Sequence, residues 1–149
     1  MLSSLLIIAI SVLLFHYWFR YTCLLILATK TPKDYTPQVA ADNQLEFLET
    51  QKQLGRLELD PLSALERSLA RDYQRLSDLL GDAANVSGGN HDTLEGAILK
   101  TDFHLMRAWY RVSRPASEAQ ARRALREMSS IIAHMANNLG ERLASSAGA

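Results

Sequence analysis

Residues 4–28 read SLLIIAISVLLFHYWFRYTCLLILA, and with histidine neutral the only charge in the stretch is Arg20. A run of this length exceeds what a soluble core helix needs, because about 20 apolar residues span the hydrocarbon core of a bilayer. The stretch predicts an N-terminal membrane anchor, residues 1–29, with everything after it held at a membrane surface. A cleavable secretion signal would carry a basic start, a shorter apolar core and a small-residue cleavage site, and the sequence has none of the three. Arg20-Tyr21-Thr22 ahead of Cys23 is equally unlike the small residues that precede a lipid-modified cysteine, so Cys23 reads as an inert thiol.

Two placements of the span compete. In the preferred one the helix crosses between Leu2 and Phe19, about 27 Å at a rise of about 1.5 Å per residue. His16, Tyr17, Trp18, Phe19, Arg20 and Tyr21 then form a collar at headgroup depth, where aromatic and basic residues gather, and residues 24–28 emerge as an exposed apolar turn. In the other, one tilted helix runs from about Leu5 to Ala28, with Arg20 snorkelling out of it. Arg20, Lys30 and Lys33 follow the span and no Lys or Arg precedes it. The positive-inside rule then sets the N-terminus outside and the rest of the chain in the cytoplasm, as a single-pass protein of the inner membrane.

Beyond the anchor, a chain of 149 residues has room for one modest domain. The formal net charge is zero, with +2 in the first 34 residues and −2 in the rest, a balance that argues against nucleic-acid binding. A single cysteine excludes an intrachain disulfide and a cysteine metal cage.

Pro32 and Pro37 break the helix leaving the membrane, and residues 30–59 read as a linker. It holds a short helix near 42–54, ended at Gly55 and lying against the domain. Asp60-Pro61 opens the main domain with an N-cap residue and a proline at the first helical position. Leu62, Leu65, Leu69, Tyr73, Leu76 and Leu80 recur at three- and four-residue steps, giving a helix over about 60–80 that stops at Gly81 before a polar loop. Asp92 and Glu95 form a capping-box-like start for a helix over 92–113. Its apolar residues fall into two rows: Leu94, Ile98, Leu105, Trp109 and Val112, and beside them Leu99, Phe103, Met106 and Tyr110. So wide an apolar face packs on more than one neighbour and marks the central helix. Ser117 caps a third helix over 117–140, whose seam of Ala121, Leu125, Met128, Ile132, Met135 and Leu139 alternates four- and three-residue steps. Residues 144–149 read as a frayed tail. Short connections make antiparallel neighbours. The expected fold is all-α: a transmembrane helix followed by an antiparallel three-helix bundle over 60–143, or a four-helix one if the 42–54 segment joins it.

Motifs that carry chemistry are missing from this pattern. Di-iron bundles place Glu-x-x-His pairs on facing helices, whereas the residues three after Glu66, Glu95, Glu118 and Glu127 are Leu69, Ile98, Ala121 and Ser130. Zinc-helix and phosphate-loop motifs are absent as well, so the reading assigns no catalytic residue, cofactor or metal ligand. A pairing of His104 with Asp102, or of His134 with Ser130, is the sharpest enzymatic alternative, and isolated histidines on helix faces are more often structural. Trp109-Tyr110 between Arg107 and Arg111 resembles an aromatic-plus-basic binding surface. Periodicity favours a plainer account, with Trp109 inward, Tyr110 at the boundary and the two arginines on an outer edge.

Between 107 and 126 stand six arginines, Arg107, Arg111, Arg114, Arg122, Arg123 and Arg126, and one acid, Glu118. They cluster at the elbow of the second and third helices and are expected to contact anionic lipid or an acidic partner. The sequence thus describes a membrane-anchored, non-catalytic adaptor, scaffold or accessory subunit of a larger membrane complex. Its partners are the bilayer and other membrane-protein subunits or copies of itself, and no nucleic acid. The competing readings are a membrane-tethered enzyme or histidine phosphotransfer module, and a bundle that self-associates through the seam of its third helix.

Overall fold

An apolar run without proline or glycine has nothing to stop a helix, and α1 (Leu2–Ala28) is one unbroken helix of 27 residues. It passes straight through Arg20, so residues 24–28, expected as an emerging turn, are helical. The structure is a computed structural model and describes residues 2–29, 33–55, 62–87 and 93–147. Among these there are six helices and no strand, in two units, Met1–Lys30 and Thr31–Ala149.

The second unit holds α2 (Thr36–Asp42), α3 (Phe47–Gly55), α4 (Leu62–Ser87), α5 (Thr93–Ser113) and α6 (Glu118–Ala147). Its centre is α6, against which α2, α3, α4 and α5 all pack. The wide apolar face of 92–113 had pointed to that helix instead. The composition of α6 explains the difference. Its buried side combines Leu125, Met128, Ile131 and Ile132 with Ala121, Ala124, Ser129, Ala136 and Gly140. The distance between helix axes is set by the side chains at the contact, so small residues interleaved with large ones admit several neighbours at close range. All six seam residues from Ala121 to Leu139 are buried.

The short helix ends at Gly55 as read, but two other glycines read as helix ends are interior. Gly140 lies within α6, and a Cβ there would overlap Tyr35 and Val39. It is the docking point of α2, held alongside by the Tyr35 N–H, which donates to Asn137 Oδ1 at 2.8 Å. α6 continues to Ala147, through most of the expected tail. Gly81 is exposed with open space around it, and α4 runs past it to Ser87. A glycine costs a helix interior about 1 kcal/mol, which packing on either side outweighs.

Much of the stretch expected as a linker is folded. Residues 30–59 contribute α2 and α3, with a turn between them at Gln44, whose φ of 52° is left-handed. The α2–α3 corner is fastened to one edge of α4. Asp72 Oδ2 accepts the Glu46 N–H at 2.7 Å, the Ser68 hydroxyl donates to the Glu46 carboxylate at 2.7 Å, and Arg75 donates to the Gln44 carbonyl at 3.2 Å. The first turn of a helix has N–H groups without intrahelical partners, and at α3 an aspartate of another helix supplies an acceptor. The start signals read at Asp60-Pro61 and Asp92 lie outside the described residues.

Helices α4 and α5 meet mainly through long side chains. Tyr73 stacks on Phe103 with ring centroids 3.9 Å apart, and the Arg107 guanidinium donates to the Glu66 carboxylate. On α5 the row Leu99, Phe103, Met106 and Tyr110 is buried. The other row faces out, with Leu94 72%, Trp109 50% and Val112 69% exposed.

Candidate functional site

Two surfaces carry unsatisfied apolar area, α1 and the outer row of α5. Within α1, Leu5 to Ile8, Val12 to Phe15, Tyr17 and Trp18 are all exposed, Phe15 to 72%. At a rise of about 1.5 Å per residue the helix is long enough to cross the roughly 30 Å hydrocarbon core, and its composition suits it to that role. The collar residues form a real cluster. Phe15 with Phe19, and Tyr17, Trp18 and Tyr21 among themselves, pair with centroids 6.1–6.4 Å apart. His16 is exposed beside them, and Arg20 sits inside the helix, not at its end. Lys30 lies outside the described residues. Lys33 belongs to the second unit, its ammonium 5.0 Å from the centre of the Tyr35 ring.

The six elbow arginines divide. Arg107 is engaged by Glu66; Arg122 pairs with Glu118 one turn away at 2.9 Å; Arg126 donates to the Leu54 carbonyl at 3.0 Å, closing the end of α3. Arg111, Arg114 and Arg123 are exposed. The elbow itself is rigidly tied: the N–H groups of Arg114 and Ser117 donate to the Tyr110 and Ser113 carbonyls at 2.9 and 2.7 Å, and Ser117 Oγ accepts the Gln120 N–H at 3.4 Å, capping α6.

The Trp109-Tyr110 pair is turned opposite to the periodicity argument. Tyr110 is the buried member and Trp109 is half exposed, because α6 packs on the row that contains Tyr110. Burial pushes the Tyr110 phenol above its ordinary range, Arg114 pulling it back and Glu66 adding to the rise.

The histidines are dispersed. His134 Nε2 lies 2.8 Å from Glu95 Oε1, while the Ser130 hydroxyl donates to the Arg126 carbonyl. His104 is exposed with its ring edge against Tyr73, centroids 5.4 Å apart, and Asp102 is fully buried. His91 lies outside the described residues. Among the described residues no three of His, Cys, Asp or Glu stand close enough to share a metal ion.

No family model, curated protein or solved structure matches this chain. The molecule's own geometry therefore carries the functional argument. A groove of about 310 Å³ between the far parts of α4 and α6 is lined by Asn43, Leu79, Asp82, Leu139, Leu143 and Ser146 among others. Its one hydroxyl, on Ser146, donates to the Leu143 carbonyl. Outward, the described residues present an apolar helix, an aromatic cluster and an apolar row beside basic residues.

Proposed function

We propose that the chain is a single-pass protein of the inner membrane whose cytoplasmic domain, an antiparallel helical bundle, acts as a non-catalytic adaptor, scaffold or accessory subunit of a membrane complex. One observation carries this reading: α1 leaves its large apolar side chains exposed from Leu5 to Trp18. Each square ångström of apolar surface left in water forgoes about 25 cal/mol, so a helix of this kind requires lipid or partner helices around it. Lys30 and Lys33 follow α1 in the sequence and no Lys or Arg precedes it, which favours the cytoplasm for what comes after it. The aromatic cluster suits headgroup depth, and Arg20, inside the helix, reaches that layer by extending its side chain along it.

Seven residues, 29–35, join α1 to α2, a reach of at most about 25 Å. A domain on so short a tether works at the bilayer surface. Self-association through the α6 seam is disfavoured, because that seam is buried within the chain. Partner subunits are met by α1 or by the outer faces of the bundle.

The test is affinity purification from mild detergent of the full chain and of a variant with Ile10→Arg and Leu13→Arg, each arginine costing insertion about 2.5–3.5 kcal/mol, with mass spectrometry of what stays attached. Proteins retained by the wild type and lost by the variant support an accessory subunit that recognises partners in the bilayer. Proteins retained by both assign recognition to the bundle. A wild-type chain that enters membranes and retains nothing contradicts the reading.

A further inference from the structure

We propose that the outer face of α5 rests on the anionic lipid surface of the membrane, a proposal that rests on the reading of α1 as the membrane span. The residues of α5 form three rows about a third of a turn apart, as 3.6 residues per turn dictates. Leu99, Phe103, Met106 and Tyr110 are buried in the domain. Leu94, Ile98, Leu105, Trp109 and Val112 follow steps of four, seven, four and three residues and face outward. Lys100, His104, Arg107 and Arg111 follow steps of four, three and four.

Between the apolar and basic rows lie Ala97, Thr101 and Ala108, all exposed and small. Every exposed residue of α5 is therefore apolar, small or basic. Of its two acids, Asp102 is buried, and Glu95, whose side chain is 41% exposed, is engaged by His134 and Asn138. Neither Lys100 nor Arg111 forms an ion pair among the described residues.

This combination fits a lipid surface better than a protein. A helix lying in the bilayer interface sinks apolar and aromatic residues to the level where headgroups meet acyl chains and sets Lys and Arg among the headgroups. Trp109 has the amphipathic ring that prefers that depth. A face whose bases are joined by one part-exposed acid, itself paired with His134, complements a plane that is uniformly negative, whereas a protein surface brings charges of both signs. The tether keeps the domain within reach.

The chain has two tryptophans, so Trp18→Phe leaves Trp109 as the sole reporter. Full-length W18F protein would be placed in nanodiscs of phosphatidylcholine alone, or of phosphatidylcholine with phosphatidylglycerol, with and without bromine on the acyl chains. In the anionic discs Trp109 emission should shift to the blue, lose intensity when the lipid is brominated and resist quenching by acrylamide. Lys100→Glu with Arg111→Glu, both on the surface, should reverse all three effects without changing the helical circular dichroism. Emission that stays water-like and open to acrylamide in anionic discs overturns the proposal while leaving the span intact. A blue shift that follows the number of chains per disc and ignores bromine assigns the face to a second copy and also overturns it. A chain that fails to enter the discs overturns the reading of α1 and this proposal together.

Discussion

Helices α4 and α5 each pack on α6 with a row of four buried apolar residues, Leu65, Leu69, Tyr73 and Leu76 on the one and Leu99, Phe103, Met106 and Tyr110 on the other. Outside those rows they diverge. α4 exposes Arg67, Arg71, Gln74, Arg75 and Asp78, as a helix bordered by water does, and α5 exposes Leu94, Leu105, Trp109 and Val112 beside its bases. The comparison teaches that one apolar row is enough to hold a flanking helix in this domain. The second row of α5 is left largely exposed by the other helices of the domain.

Leu125→Ala, at a fully buried position of α6, should lower stability by about 2–5 kcal/mol. Val112→Ala on the outer row of α5 should change it by less than about 0.5 kcal/mol. Urea unfolding of the full chain in micelles measures both, and similar losses at the two positions would show that the outer row helps to fold the domain after all.

The next contrast sets two glycines against each other. Gly140→Ala forces a methyl group into Tyr35 and should cost about 1–3 kcal/mol, the usual penalty for overpacking. Gly81→Ala meets open space in a helix and should gain about 0.5–1 kcal/mol. Thermal melting should move in opposite directions for the two variants.

Asp72→Ala strands the Glu46 N–H and should cost about 1–2 kcal/mol. Burial raises the Asp72 carboxyl above its ordinary value. The N–H groups of Glu46 and Phe47 oppose this, the Glu46 carboxylate adds to it and Arg75 lowers it. Between the ordinary and the raised value the native state keeps a proton that the unfolded chain has lost, so stability owed to Asp72 falls as pH rises through that window. The wild-type urea midpoint measured relative to Asp72→Asn should decline across it. A difference that grew would contradict this account of the α3 cap.

The long helices were largely legible, because period is a local property, whereas α2 was not: Pro37, read as a helix breaker, stands in its first turn. The seam from Ala121 to Leu139 is buried as its spacing requires, whereas of the two rows of α5, both expected to pack, only that of Leu99, Phe103, Met106 and Tyr110 is buried. Which row faces inward was not legible, since that depends on α6 and not on α5. Periodicity alone placed Trp109 inward, and the neighbour chose Tyr110. Gly81 and Gly140 were misread for a related reason: a glycine that ends a helix and one that admits Tyr35 look alike until the partner is known. The Asp72 cap joins residues 26 apart, beyond any local capping pattern. The elbow arginines were legible as a cluster. That Arg107, Arg122 and Arg126 are the engaged ones follows from where Glu66, Glu118 and the end of α3 happen to lie.

Alkaline carbonate extraction of membranes from cells making the full chain tests the central claim most directly. The account predicts that the protein stays in the pellet, leaves it only with detergent, and shifts toward the soluble fraction when Ile10→Arg and Leu13→Arg are introduced. Release of the wild-type chain by carbonate alone would contradict a membrane-spanning α1.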